Sequence, residues 1–378
     1  MSILALHSRS FLQGLNSRFA PRRALVPLEG LSRVVRHDKR RVFYRYRYSV
    51  RPVLHPVLIP NFTHPPLRYC TRREARLYHW WHSPDVIDET PFVLEPLDHV
   101  FAPTREGNPG NAIRMREELR AFYADDRCRR VLITSTGQLE LFRYYFPEFD
   151  HKFTVVPPGC TPRLSGPSNS NAEPVFLCVA TVYAQKAVDL VVDAWTATAT
   201  GGARLVLVCA DFPPERVEGA ERAGIEIIGA ERPLRYRAIQ RLYEDADVAI
   251  VPLHTDALGA YMDAIAHGLP IIAMRSQHSA DFTAKGAGLE CDVPLYLYDP
   301  EGFGVRWSTW EEFMEQVTEA KRQGLFIPTV EQLSSAIERL LDPATRTEMS
   351  ERAADLCRER FHVDRRNALL RSVYEAAV

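Results

Sequence analysis

Two acidic residues and a glycine lie between two apolar runs in the second half of the sequence. The runs are residues 248–252, which end in proline, and residues 271–274; between them come Asp256, Gly259 and Asp263. Such runs are typical of buried parallel strands, and the segment after Gly259 has a short helical pattern. Small and acidic residues just past the carboxyl end of a strand can hold a polar ligand where a helix begins. The open alternative is an ordinary strand–helix–strand crossover with both carboxylates in water.

A lysine occupies a comparable position earlier in the chain. Residues 179–187 connect a predicted strand to a predicted helix, and Lys186 lies near the start of that helix. A cation beside free backbone amides and the positive end of a helix dipole suits a diphosphate. The alternative is a solvated surface lysine, although the whole chain has only five lysines.

Composition limits the class of protein. The chain has 378 residues, 46% of them hydrophobic and 25% charged, which predicts a soluble globular protein with room for two domains. Since no apolar run approaches the roughly 20 residues of a membrane span, no transmembrane helix is predicted, and the short, interrupted apolar start makes a signal peptide unexpected. Seven scattered cysteines without a C-x-x-C pair favour a reduced, cytoplasmic protein without a zinc site.

The net charge of −1 is unevenly distributed, because the N-terminal segment is strongly basic. Residues 1–51 contain twelve Arg and Lys residues against Glu29 and Asp38, a net charge of +10 that leaves −11 on the remainder. Such a segment can contact an anionic membrane, a nucleic acid or an anionic substrate, or it can pair with the acidic remainder of the same chain. No nucleic-acid-binding motif accompanies the charge, so we expect no nucleic-acid partner.

The predicted elements change in character along the chain. A stretch rich in proline, serine, glycine and asparagine, residues 161–173, reads as an interdomain linker. Strands then alternate with helices, which predicts an α/β fold with a doubly wound parallel sheet. Before the linker, residues 72–81 and 111–124 have helical patterns, residues 90–95, 128–134 and 151–156 read as strands, and Ser135 is a candidate cap for a helix to Tyr145. After it, strands are predicted at 175–179, 204–209, 225–228, 248–251 and 271–274. Helices are predicted at 187–197, 234–244, 310–322, 329–341, 343–360 and 366–377.

Four pieces of the second half resemble, in order and spacing, the donor-binding domain of GT-B-fold, family-4-type retaining glycosyltransferases. Residues 180–186 (ATVYAQK) stand where that family has Gly-Arg-Leu-x-Pro-x-Lys. Residues 242–252 (LYEDADVAIVP) match its Leu-Tyr-x-x-Ala-Asp and following strand. Residues 256–270 resemble its E-x7-E region and Gly-Leu-Pro ending, and Phe361 onward resembles its closing break and helix. The first half resembles the family only at residues 128–135 and 155–159.

The resemblance implies two Rossmann-like domains that face each other across a cleft. The implied boundaries are 1–165 for the acceptor-side domain, 166–360 for the donor-binding domain, and 361–378 for a helix that crosses back. It implies sugar transfer from a nucleotide-diphosphate donor with retention at the anomeric carbon, without a metal and with no cofactor beyond that co-substrate. The acceptor is not identified.

The resemblance also assigns roles to residues. Lys186 would contact the donor diphosphate beside Thr181, and Asp263 would bind the ribose. Thr255, Asp256 and Gly259 would lie on the side of the transferred sugar, with Asp256 as its facing acid. His82, in the sequence WWHSP, is the candidate active-site residue of the first domain; Glu95 and Asp98 are alternatives, and a structural histidine among aromatic residues is the other reading.

Three departures from the family pattern matter for activity. Thr181 replaces the arginine next to the diphosphate, aspartates replace both glutamates, and the two acids are one residue closer together than in E-x7-E. Two further hypotheses therefore stay open. One is a degenerate member of the fold that binds a nucleotide sugar or a partner without turnover. The other is an enzyme on the inner face of the membrane that reaches a lipid-linked acceptor through residues 1–51.

Overall fold

The chain forms two α/β units. The computed structural model describes residues 3–7, 32–33, 77–81, 89–96, 117, 119–163, 173–180, 182–229, 234, 236–254, 258–295 and 310–378. The first unit comprises the described residues up to Cys160 together with Val363–Val378, and the second runs from Thr161 to His362. Within the described residues, the chain passes between the units after Cys160 and after His362.

The first unit contains a six-stranded sheet in which every strand pairs in parallel. Its strands are β1 (Ile3–His7), β2 (Ser32–Arg33), β3 (Leu77–Trp81), β4 (Phe92–Glu95), β5 (Cys128–Ile133) and β6 (Phe153–Val155). They follow the order β2-β1-β3-β4-β5-β6. The strands predicted in residues 90–95, 128–134 and 151–156 are confirmed, the last in shortened form because a 3-10 helix (Pro147–Lys152) precedes it.

The helix predicted in residues 72–81 is wrong at its carboxyl end, because Leu77–Trp81 is strand β3. This strand pairs with β1 on one side and β4 on the other, with Leu77 opposite Ile3 and Tyr78 opposite Phe92. Aromatic residues are favoured in strands, and pairing on both edges outweighs the helical spacing of a short segment. Strand β1 was not expected from the sequence either, because its pattern is interrupted soon after His7.

The described residues of the first unit also form helices, and residues 119–124 are helical, as the sequence predicted for 111–124. Helix α1 (Thr136–Tyr145) begins at Ser135, whose side chain accepts a hydrogen bond from the amide of Gln138, as predicted. Between α1 and β6, the ring of the fully buried Tyr123 contacts the rings of Phe146, Phe149 and Phe153. The last helix of the chain (Val363–Ala377) also belongs to this unit, as described below.

The second unit contains another parallel six-stranded sheet. Its strands are β7 (Val175–Val179), β8 (Arg204–Val208), β9 (Ile225–Ile228), β10 (Val248–Val251), β11 (Ile271–Met274) and β12 (Gly288–Cys291). Their order is β12-β11-β10-β7-β8-β9. Strands β10 and β11 are fully buried, which agrees with their uninterrupted apolar sequences. The doubly wound sheet predicted for this half is confirmed.

Helices connect and cover these strands. They are α2 (Val188–Ala197), α3 (Pro214–Arg222), α4 (Tyr236–Glu244), α5 (Leu258–Ala266), α6 (Ser279–Thr283), α7 (Trp310–Arg322), α8 (Ile327–Leu341) and α9 (Pro343–Leu356), with α10 (Val363–Ala377) in the first unit. A π-helical turn (Cys357–Phe361) ends α9. Helices α3 and α6 and strand β12 have no counterpart among the sequence predictions.

Candidate functional site

The strand order of the second sheet reverses between β7 and β10. From β7 the chain winds outward through β8 and β9 on one side, then returns to β10 and winds through β11 and β12 on the other. This is the strand order of dinucleotide-binding α/β sheets, whose ligands bind outside the carboxyl ends of the strands at the point of reversal. The loops after β7 and β10 border that point. They contain Lys186 and Asp256, so the two stretches singled out in the sequence follow neighbouring strands.

The two loops are joined directly. The amide of His254, which follows β10, donates a hydrogen bond to the carbonyl of Gln185 in the loop after β7 at 3.2 Å. Lys186, the next residue, is half-buried. The cation predicted to meet a diphosphate therefore lies beside the loop that leads to the predicted sugar-facing acid.

The loop after β7 forms a closed turn before α2. The amides of Lys186 and Val188 donate to the carbonyls of Val182 and Tyr183 at 3.0 and 3.1 Å, so these donors are used within the loop. Ala187 lies between them with a φ of 49°, a left-handed conformation that separates the turn from α2 and is unusual for a residue with a Cβ. Thr181 lies outside the described residues.

Side chains after β8 hold this turn in place. The Asp211 carboxylate accepts a hydrogen bond from the Tyr183 amide at 2.7 Å. Phe212 packs edge-on against the Tyr183 ring, and Arg216 of α3 donates to its hydroxyl. Burial raises the pKa of Tyr183 to about 12, so the phenol stays protonated at neutral pH. The position of the Lys186 turn is thus fixed by the neighbouring strand–helix connection.

The loop after β10 contains a buried histidine. His254 is 4% exposed, and its ring lies edge-on to Phe326 and Phe313, at 5.3 and 6.4 Å between ring centroids. Neither ring nitrogen has a hydrogen-bond partner in the described part of the chain. Burial, with a smaller contribution from the Lys321 ammonium, holds the pKa of the His254 imidazole well below its usual value. The ring is therefore neutral at physiological pH.

Lys321 connects this histidine to the start of α2. Its ammonium lies 2.6 Å from the carboxylate of Asp189, the second residue of α2, and 5.7 Å from the centroid of the Phe326 ring. A second cation is thus anchored near the two loops that border the strand-order reversal. Thr255 and Asp256, the next residues after His254, lie outside the described residues.

Helix α5 carries the other two predicted donor-site residues. Gly259 is exposed, its φ lies outside the left-handed region, and a Cβ built on it would meet no atom of the described residues within 4 Å. Neither its backbone conformation nor its packing against the described residues explains a glycine there. Asp263 is only 5% exposed, and its Oδ1 accepts a hydrogen bond from Gln240 of α4 at 3.0 Å.

In the first unit, the Glu95 carboxylate is committed to a buried ion pair. Both of its oxygens accept hydrogen bonds from Arg366 of α10, at 2.8 and 2.9 Å, and both side chains are almost completely buried. His79 of β3 lies 3.3 Å from the same carboxylate. Glu95 therefore has a structural role rather than the active-site role considered for it. His82 and Asp98 lie outside the described residues.

The described part of the chain contains no group of three or more His, Cys, Asp or Glu side chains that could hold a metal ion. No helix in that part is long and apolar enough to cross a membrane.

Several residues around the site were missed by the sequence reasoning. Gln240, His254 and Lys321 act through partners distant in sequence, so no local spacing identifies them. Asp211 had a weak signal, because it follows the end of a predicted strand as Asp256 does. Asp247 belongs to the matched Ala-Asp motif but has a structural role: its carboxylate accepts from the amide of Val175 at the start of β7.

Comparisons with known proteins agree with this architecture. The family model of Glycosyl transferases group 1 matches residues 173–303. No protein with curated annotation matches the sequence significantly. The crystal structure of WaaG, a glycosyltransferase involved in lipopolysaccharide biosynthesis, is similar at 14% identity with a TM-score of 0.54, covering 80% of this chain and 78% of that one. A glycosyltransferase from Rickettsia africae ESF-5 is similar at 11% identity with a TM-score of 0.51, covering 81% and 77%. The chain therefore has the GT-B fold, and its residues 173–303 match the model of the glycosyl transferases group 1 family.

Proposed function

We propose that this protein is a retaining glycosyltransferase that moves a sugar from a nucleoside-diphosphate sugar to an acceptor hydroxyl. One observation carries the proposal: Lys186 and the acidic stretch follow adjacent strands at the strand-order reversal of the family-matched domain. A cation with a helix N-terminus on one side and carboxylates on the other suits a ligand with phosphates and hydroxyls.

In the proposed reaction, the bond between the anomeric carbon and the diphosphate breaks, and a bond to the acceptor oxygen forms on the same face of the sugar. The acceptor proton leaves with a phosphate oxygen. Negative charge develops on the departing diphosphate, and stabilising it is the main catalytic task. Lys186 would supply that stabilisation without a metal. Lys321, paired with Asp189 at the first turn of α2, places a second ammonium group near the same loops.

The remaining roles follow the family pattern. Asp263 would bind the ribose, while Thr255 and Asp256 would face the transferred sugar beside Gly259. Thr181 would lie beside the phosphates, where its hydroxyl can donate a hydrogen bond but cannot replace the charge-assisted contact of the family arginine. His82 follows the last residue of β3 in the sequence and is proposed to act on the sugar or acceptor from the first unit.

Replacing Lys186 with alanine tests the assignment. Transfer or donor hydrolysis is measured by nucleotide release against a panel of UDP-, GDP- and ADP-sugars. Because the ammonium stabilises charge that develops in the transition state, we expect kcat to fall by about 100-fold or more. Lys285→Ala is the matched control: Lys285 belongs to the same unit, but its ammonium pairs with Glu359 on an exposed surface. Unchanged turnover in Lys186→Ala would contradict the site assignment.

A second candidate function is binding of a nucleotide sugar without turnover. It is favoured by the loss of the arginine at Thr181 and by the amides of Lys186 and Val188, which are used inside their own turn. A thermal-shift screen with the same nucleotide sugars distinguishes the two functions, because a ligand that binds the folded state raises its stability. Stabilisation without any nucleotide release would support the binding protein over the enzyme.

For location, we propose a cytoplasmic protein that can contact the inner face of the membrane through residues 1–51. The net charge of +10 in that segment supports the proposal. The test is co-sedimentation of the full-length protein and a 1–51 deletion with vesicles that contain anionic lipid. Equal binding of the two forms, or none, would contradict it.

A further inference from the structure

Asp263 lies at the end of a hydrogen-bonded chain of three side chains. The Gln240 Nε2 amide donates to Asp263 Oδ1 at 3.0 Å, and Arg163 Nη1 donates to Gln240 Oε1 at 2.7 Å. The backbone amide of Arg163 also donates to the carbonyl of Ala266, the last residue of α5, at 2.6 Å. Hydrogen bonds thus connect the linker, α4 and α5, and they lead to the carboxylate of Asp263.

The donor and acceptor roles along this series of hydrogen bonds are fixed. A glutamine amide can present either its oxygen or its nitrogen, and its neighbours decide which. Arg163 is a donor only, so Gln240 must turn its oxygen toward Arg163 and its NH2 group toward Asp263. Gln240 is 4% exposed and Asp263 is 5% exposed, so water does not readily replace this contact.

The length of the acid makes its orientation important. Asp263 has one methylene less than the glutamate at the matching position of the family pattern, so its carboxylate reaches less far and has fewer rotamers. A donor that holds one oxygen fixes the direction in which the second oxygen faces. Arg163 lies three residues after Cys160, where the chain enters the second unit. The hydrogen bonds that orient the Asp263 carboxylate therefore include a residue at the point where the linker enters this unit.

We propose that Gln240 and Arg163 are positioning residues that orient Asp263 to bind the ribose of the nucleotide. The inference rests on the proposed function, because it requires Asp263 to contact the nucleotide. Neither residue touches the ligand in this scheme. Their effect on affinity passes through Asp263 and vanishes when its carboxylate is removed.

A double-mutant cycle tests this dependence. The probe is whichever of UDP, GDP and ADP binds the unmodified protein most tightly, and its Kd is measured by calorimetry. We expect Gln240→Leu to weaken binding by roughly three- to tenfold, the usual effect of losing one hydrogen bond. In an Asp263→Ala background, the same substitution should leave the Kd unchanged. Arg163→Met should weaken binding as Gln240→Leu does, whereas Arg163→Lys, which can still donate to Gln240, should retain most of the affinity.

Two further variants separate positioning from folding. Gln240→Asn stays polar but is too short to bridge both partners, so it should weaken binding even if Gln240→Leu does not fold. Gln332→Leu is the matched control, because Gln332 is a helical glutamine that accepts from the amide of Asp292 in the same unit. Its Kd should equal that of the unmodified protein.

The outcomes distinguish the inference from the proposed function. If Asp263→Ala weakens binding but folded Gln240 variants do not, positioning by Gln240 is wrong while the donor site stands. An equal loss from Gln240→Leu with and without Asp263 would also overturn it, since the effect would not pass through the acid. If neither Asp263→Ala nor Lys186→Ala changes the Kd, the proposed site fails, and the inference fails with it.

Discussion

His254, near the candidate site, has an unusual environment for a histidine. Both ring nitrogens are buried and have no hydrogen-bond partner among the described residues, and aromatic rings of Phe313 and Phe326 flank it. A buried imidazole of this kind resists protonation, which is why its pKa lies well below the usual value of about 6.5. The unfolded chain therefore binds a proton at His254 in mildly acidic solution, and the folded chain does not.

This difference predicts a pH-dependent stability. The contribution of neutral His254 is fully present above pH 6.5 and is lost as the pH falls from there toward the lower folded pKa. When the pH falls from 7.5 to 5.5, the free energy of unfolding should decrease in both proteins. The decrease should be about 1.4 kcal/mol smaller for His254→Leu than for the unmodified protein. Urea unfolding at several pH values measures the difference. His79, whose pKa burial also lowers, contributes equally to both proteins and cancels. Parallel pH curves would contradict the prediction.

At the residue scale, the sequence predicted where candidate residues lie in the fold better than it predicted which side chains they contact. The Lys186 turn and the acidic stretch after β10 were singled out because a ligand site at a strand-order reversal requires residues that follow apolar runs. The contact between Gln240 and Asp263, and the one between Lys321 and Asp189, were not predicted. Such pairs form because helices pack against each other, and the spacing of residues along the sequence does not predict that packing. The assignments of His82, Thr181, Thr255 and Asp256 stay predictions.

At the element scale, Asp247 shows how one residue sets the start of two strands. It precedes β10, its amide donates to the carbonyl of Val175, and its carboxylate accepts from the amide of Val175 at 2.8 Å. The Ala-Asp motif shared with the glycosyltransferase family therefore joins β10 to β7, the two strands that border the reversal. Its role here is structural and not chemical.

Replacing Asp247 with alanine should destabilise the second unit without altering its ligand site. The Val175 amide would lose a charged acceptor, which costs about 1.5–3 kcal/mol. Nucleotide affinity of the folded fraction should not change. Chemical unfolding and calorimetric Kd values measure the two effects, with Asp245→Ala as a control because Asp245 is exposed two residues earlier. A large loss of affinity in folded Asp247→Ala would instead give Asp247 a role in binding.

Element prediction succeeded where a pattern was long or uninterrupted. Strands β7, β10 and β11 are continuous apolar runs, and α8 has a long amphipathic pattern, so each was identified close to its observed bounds. Strand β12 has the sequence GLEC, which is too short and too polar to stand out. Strand β3 was mistaken for a helix because its partners β1 and β4 lie far away in sequence, and pairing with them decides its conformation.

At the scale of the whole molecule, the last helix belongs to the unit in which the chain begins. Arg366 of α10 pairs with Glu95 and also donates to the carbonyls of Val156 and Pro157 at 3.0 Å. Gly159 makes this approach possible, since a Cβ there would lie 3.1 Å from the Arg366 side chain and 3.2 Å from the Val363 backbone. The amide of Val363 donates to the carbonyl of Cys160 at 2.9 Å, so the two segments that pass between units are bonded to each other.

This arrangement predicts that the ion pair between Arg366 and Glu95 keeps α10 packed on the first unit. Arg366→Met removes the cation but leaves the Glu95 carboxylate buried, which should cost about 3–5 kcal/mol and expose α10 to hydrogen exchange and proteolysis. The double variant Glu95→Leu with Arg366→Met removes both charges and should recover much of that loss, because paired burial of ions contributes little net stability. Arg371→Met on the exposed side of the same helix is the control and should behave as the unmodified protein. If the double variant is as unstable as the single one, packing rather than the ion pair holds the helix, and the contacts around Gly159 become the cause to test.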